Sequence, residues 1–256
     1  MRHPRFRTSV FVASTLISLT VLTGCGGSDS GEAAGGADSS ASAGVETSAA
    51  TAVKPLTAEE LDKASLVKAD VAGYEVKAAT KAEVTAADAV KVTGAGCEPL
   101  GRAVAGSAVG EPEAKVSRRV TGNGADELTA EEEAVDINVG MVTLASYAGP
   151  DDAAAALKSV ADAVTACAGG FQWTAAGELL KASKVGQDKA PAVGEEAVAF
   201  SAATPVDGVS APWKVVVFRE GATLAHFVVS NAGSMVSGKD FTFPADLVTA
   251  QADKLA

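Results

Sequence analysis

The chain has 256 residues, of which 47% are hydrophobic and only 5% aromatic, and its formal net charge is −11. Three of the 21 basic residues and none of the 32 acids precede Cys25, which leaves 18 bases against 32 acids, a charge of −14, from that cysteine onward. Acidity on this scale argues against a basic nucleic-acid surface and against docking on anionic headgroups by charge alone. The scarcity of aromatic side chains argues against stacking platforms for bases or sugars.

The first segment reads as an address. Arg2, Arg5 and Arg7 form a positive n-region, and Val10 to Leu22 form an apolar run interrupted only by small hydroxyl residues, too short for a comfortable membrane span. Leu22-Thr23-Gly24-Cys25 follows at once and resembles the lipobox of bacterial lipoproteins. That resemblance implies a diacylglyceryl group (and palmitate-type acylation) on the Cys25 sulfur and cleavage of residues 1–24 before it. An ordinary secretory leader with an incidental cysteine is the alternative. With no twin-arginine pair in the n-region, export by the general secretory route is expected. Residues 25–54 are rich in Gly, Ser, Ala, Thr, Asp and Glu, a composition that cannot bury enough apolar surface to order itself. They read as a tether with a reach of roughly 30 Å.

Residues 55–256 then form one extracytoplasmic domain, with about 200 residues available for a core. Thr57-Ala58-Glu59-Glu60 has capping-box spacing and starts a helix to about Val67. Gly73 introduces the alternating strand Tyr74–Lys77. The chain is ambiguous from there to Cys97, after which Pro99 suits the first turn of a short helix through Val104. Ala114–Thr121 and Val135–Tyr147 read as strands, separated by the turn Gly122-Asn123-Gly124 and an acidic stretch. Asp151–Cys167 is a helix, because Leu157, Val160, Ala161 and Val164 keep its period, acids occupy its first turn and Gly169-Gly170 follows its end.

Everything from Phe171 to Asn231 is strand-like, with runs at Glu178–Val185, Glu196–Ala202, Trp213–Glu220 and Ala222–Ser230. The last two make a tight hairpin about Glu220-Gly221. Pro244 opens a terminal helix. Strands joined by short turns, with helices at the start, middle and end, define an α+β fold: an antiparallel sheet with flanking helices.

Cys97 and Cys167 are the two cysteines of the domain and are expected to pair, closing a loop of about 70 residues in an oxidising compartment. Two buried free thiols are the alternative.

Catalytic signatures are sparse. His226 is the one histidine after Cys25, in a strand where alternation puts it on the face of Leu224 and Val228, packed at or near a sheet surface. A Ser-His-acid relay would need a serine and an acid around it, and no G-x-S-x-G occurs. Zinc wants several His or Cys ligands and the domain cysteines are better used as a disulfide. Gly94-Ala95-Gly96-Cys97-Glu98-Pro99 misses the third glycine of a dinucleotide fingerprint. Asp126, Glu127, Glu131, Glu132 and Glu133 lack the ligand spacing of a calcium loop and read as solvated. Trp173 and Trp213, each placed at a strand beginning, are core anchors or, in the sharper reading, line a cleft. No catalytic residue, metal ligand or cofactor is assigned.

The arrangement Asp70-Val71-Ala72-Gly73-Tyr74, then Cys97, then the helix Asp151–Cys167, then Gly194-Glu195-Glu196-Ala197 and the hairpin Val215–Val229 is similar to actinobacterial secreted lipoproteins. Their sensor domain resembles the extracellular domain of the mycobacterial kinase PknH. The resemblance implies an antiparallel sheet flanked by helices with a cleft for an unidentified ligand. This chain departs from it in having one disulfide where the kinase domain has two, and no kinase segment. The expectation is a non-catalytic, ligand-binding or sensor-like domain on the extracytoplasmic face of the cell membrane, held through its lipid, with a small-molecule or protein ligand and no nucleic acid. A lipid or glycolipid carrier and an envelope hydrolase are the alternatives.

Overall fold

The computed structural model describes residues 54–122, 136–206 and 208–256. The expectations for the leader, Cys25, the tether short of Lys54, the Asn123-Gly124 turn and the acidic stretch Asp126–Glu133 lie outside the described residues.

Seven strands form an antiparallel sheet: β1 (Tyr74–Ala78), β3 (Ala114–Gly122), β4 (Asn138–Ser146), β7 (Lys184–Asp188), β8 (Glu196–Val206), β9 (Val209–Glu220) and β10 (Thr223–Asn231). Their spatial order is β1-β3-β4-β10-β9-β8-β7. The short strands β2 (Lys91–Thr93), β5 (Phe171–Ala175) and β6 (Glu178–Ala182) form a second sheet in the order β2-β5-β6. The Val-rich run of β9 and β10 is buried almost throughout, as expected of strands covered on both faces. A two-residue turn at Gly221-Ala222 joins them, one residue on from the expected Glu220-Gly221.

Each face of the large sheet is covered. On one side α2 (Glu98–Val104), α3 (Pro150–Ala166) and the small sheet bury Phe200, Val215, Val217, Leu224 and Val228 against Leu100, Leu157, Val160 and Trp173. On the other side α1 (Ala58–Ala64) and α5 (Ala245–Leu255) bury Val142, Leu144, Val216, Phe218 and Phe227 against Leu61, Leu247 and Val248. The period of two along each strand divides these sets, with Val215 and Val217 on one face and Val216 and Phe218 on the other. The fold is the α+β class expected. No described helix is long and apolar enough to cross a membrane.

Polar contacts fix α1 and α5 to the sheet. The capping box forms, with the Glu60 amide donating to Thr57 Oγ1 at 3.3 Å and the Thr57 amide to Glu60 Oε2 at 2.7 Å. The helix stops at Ala64, short of Val67, because Ser65 is extended and its hydroxyl donates to the Leu61 carbonyl at 2.7 Å. Arg118, buried on β3, donates to the Leu66 and Asp62 carbonyls and to Asp62 Oδ1 at 2.7 Å. Gln251, wholly buried on α5, accepts from the Leu66 amide at 3.1 Å and donates to the Ala64 carbonyl at 2.8 Å. The orphan groups at the end of α1 are thereby satisfied by side chains distant in sequence.

Other boundaries also differ from the reading of the sequence. The run Glu178–Val185 breaks at Ser183, whose amide and hydroxyl both donate to the Ala203 carbonyl, so the chain steps there from the small sheet to the large one. The strand β2 and the short helix α4 (Ala232–Ser237) were not among the expected elements. Trp173 and Trp213 lie within β5 and β9, not at their beginnings.

Cys97 and Cys167 are bonded, with Cα atoms 5.9 Å apart, and cap α2 and α3 respectively. Gly194-Glu195-Glu196-Ala197 has a structural role. Gly194 takes φ +60°, and a Cβ there would lie 2.4 Å from the Arg219 carbonyl oxygen, so only glycine fits. The next amide, Glu195, donates to that same oxygen, and Glu195 and Glu196 pair with the nearly buried Arg219.

Candidate functional site

The α1/α5 face is left open where β4 begins and β10 ends. Asn231, the last residue of β10, caps α4 by accepting from the Ser234 amide at 3.0 Å. Gly238 ends that helix at φ +69°, and the following residues lead across this end of the face into α5, whose N-cap is Pro244. Lys214 of β9 lies on the face of Val216 and meets this crossing segment. Its Nζ is 2.9 Å from Asp240 Oδ1 and 5.2 Å from the centre of the Phe241 ring, and its side chain is only 14% exposed.

Two clefts flank the contact. One, of about 550 Å³, is largely apolar: Ala190, Pro191, Ala199, Val216 and Phe243 line it together with Lys214 and Asp188. Ser201, opposite Lys214 in register, donates its hydroxyl to Asp188. The other, of about 500 Å³, is largely polar and is lined by Asp136, Asn138, Asn231, Ser237, Lys239 and Asp240. Its amides are locked: Asn231 Nδ2 donates to Asp136 Oδ1 at 2.6 Å and to Asn138 Oδ1 at 3.0 Å, and Asn138 Nδ2 donates to the Tyr74 hydroxyl at 3.1 Å. Burial holds the Tyr74 hydroxyl above its ordinary titration range, so it stays a neutral phenol. Thr242 borders both clefts. Volumes of this size suit a small organic ligand, and fixed polar groups beside an apolar wall can orient one.

None of Lys214, Asp240, Asn138 or Asn231 was singled out from the sequence. Asn231, three residues before Ser234, carries an N-cap signal; the others have none, since the clefts join strand ends far apart in the chain.

His226 lies elsewhere, on the α2/α3 face, in a row of opposed residues Ser117, Thr143, His226, Val217 and Val198. Alternation does place it with Leu224 and Val228, packed on a sheet face at the centre of the sheet and only 2% exposed, because α2 covers it. Ser117 donates to Thr143 Oγ1, which donates to the Gly106 carbonyl at 2.9 Å; His226 stands outside this chain. Neither of its ring nitrogens, nor the buried hydroxyl of nearby Ser107, has a hydrogen-bond partner among the described residues. Burial pushes its pKa down to about 4, and the nearby Ser107 backbone offsets this to a smaller extent. A base in a Ser-His-acid relay is bonded to both nucleophile and acid, and His226 has neither contact.

Trp173 is a core residue, 2% exposed. Trp213 borders a smaller hollow of about 290 Å³ with Met141, Val228 and Arg119. Among the described residues no group of three or more His, Cys, Asp or Glu is placed to hold a metal ion.

The class defined by these observations is an α+β domain with an antiparallel sheet between helical layers and a bipartite cleft at one sheet end. No protein-family model and no curated protein matches the chain. Among solved structures it is similar to the extracellular domain of PknH from Mycobacterium tuberculosis, the protein whose extracellular domain the sequence resembles. The TM-score is 0.48 at 11% identity, over 79% of this chain and 96% of that one. At that score the likeness bears no weight for site or ligand.

Proposed function

We propose that this protein is a lipid-anchored extracytoplasmic lipoprotein whose domain acts by binding a ligand, in the manner of a sensor-like module and without catalysis. The observation that carries the binding reading is the pair of clefts of opposite polarity around the fixed Lys214–Asp240 contact. The Cys97–Cys167 bond supports an oxidising compartment, because such bonds seldom persist among cytosolic thiols. The lipobox-like Leu22-Thr23-Gly24-Cys25 supports the anchor.

Binding is tested with an environment-sensitive apolar dye such as Nile red. Its fluorescence should rise with the wild-type protein and fall several-fold with Ala192→Trp, an exposed position at the apolar cleft. Equal signals from both, with the fold intact by circular dichroism, would remove the cleft from the reading. Anchoring is tested by metabolic labelling with a fatty-acid analogue, which should mark the wild type and not Cys25→Ser.

A further inference from the structure

Resting on the reading that the paired clefts bind a ligand, we propose that the ligand is an amphiphile with an uncharged, polyhydroxylated headgroup in the polar cleft and a hydrocarbon chain along the apolar one. The two hollows share Thr242, and Lys214 of one is ion-paired with Asp240 of the other, so a single molecule crossing the seam touches both. The apolar wall of Ala190, Pro191, Ala199, Val216 and Phe243 offers hydrocarbon contact and few donors. Removal of a chain from water is the favourable term there.

The polar cleft decides the headgroup. Asp136, Asp240 and Lys239 line it, and Lys214 pairs with Asp240 and lies over the Phe241 ring, so the charges around the cleft cancel and no cation is left in excess. A phosphate or carboxylate head would find no surplus cation in the cleft and would sit within an acidic chain. Hydroxyls both donate and accept, which matches a lining of carboxylates, amides and side-chain hydroxyls. The Asn231–Asp136–Asn138–Tyr74 network fixes those groups before any ligand arrives, which lowers the ordering cost of binding. Composition argues against a stacked sugar, and Phe241 is 9% exposed beneath Lys214. Recognition therefore runs through hydrogen bonds, and a glycosyl or an open-chain polyol head satisfies it equally.

Octyl glucoside below its micelle concentration, octanol and glucose serve as probes of whole, head-free and chain-free ligand, with binding to the purified protein followed by calorimetry and ligand-detected NMR. Octyl glucoside should bind at least tenfold more tightly than octanol or glucose. Ser237→Trp, at an exposed position of the polar cleft, should reduce octyl glucoside to the level of octanol and leave octanol unchanged. Ala192→Trp should weaken both. Octanol binding as tightly as octyl glucoside, or octyl glucoside binding unaffected by Ser237→Trp, would overturn the headgroup assignment while Nile red binding still upheld the cleft. Tighter binding of octyl phosphate than of octyl glucoside would overturn the uncharged head. Failure of the octyl probes and of Nile red alike would overturn the binding reading as well.

Discussion

The two faces of the large sheet are held by different means. The α1/α5 face is tied by hydrogen bonds that satisfy what they bury: Arg118 and Gln251 complete the end of α1, and buried Ser146 accepts from the Leu56 amide at 2.8 Å. The α2/α3 face is stapled by Cys97–Cys167. On its side lie the buried side-chain atoms without hydrogen-bond partners among the described residues, on His226, Ser107, Trp173, Thr204 and Trp213. A covalent tie lowers the entropy of the unfolded chain, and that gain offsets polar groups that would otherwise weaken the layer. The paired clefts around Lys214 and Asp240 lie on the well-bonded face, where precise polar positions are kept.

Removing the staple is the harshest test of this contrast. Cys97→Ser combined with Cys167→Ser should lower stability by about 4 kcal/mol in urea denaturation, the chain-entropy value for a loop of this length. Amides of α2 and α3 should lose hydrogen-exchange protection before those of α1 and α5. Uniform loss across both faces would break the comparison.

Acid should strain the same face next. His226 titrates near 4 when folded and near 6.5 when unfolded, so the native state favours the neutral ring. Its contribution is complete above pH 6.5, declines as pH falls toward 4 because the unfolded chain takes up the proton first, and is lost below. The loss amounts to about 3 kcal/mol. His226→Leu, compared with wild type across that window so that shared carboxylate effects cancel, should lack this decline. Parallel pH profiles would show that the imidazole is not held neutral.

A smaller effect is expected on the opposite face. Gln251→Leu strands the Leu66 amide and the Ala64 carbonyl and should cost about 2 kcal/mol in thermal unfolding. No measurable change would mean that α5 is held by its apolar contacts alone.

Much of this architecture was legible in the residues. Leu157, Val160 and Val164 announce α3 through their spacing, and the apolar runs of β9 and β10 on either side of Gly221 announce the hairpin, because period and turn chemistry are local. Depth is not local: whether His226 is covered depends on β10 sitting between β4 and β9 and on α2 lying above it, which pairing order decides. The clefts were illegible for the same reason, since Asp136, Asn231 and Asp240 line one cleft, and Lys214 reaches Asp240, only once β4, β9, β10 and the segment before α5 converge. Gly194-Glu195-Glu196 stood out in the sequence without a stated role; its role became visible only beside Arg219.

The Cys97–Cys167 bond also has a mechanical side. It encloses α2, β3, β4 and α3 in one closed ring 70 residues around, so a pull on the two ends of the domain passes through the sulfurs and bypasses those elements. At roughly 3.4 Å per extended residue the ring withholds about 240 Å of contour length. Drawn out from either end, the oxidised protein is a short leash, and reduction alone turns it into a long one.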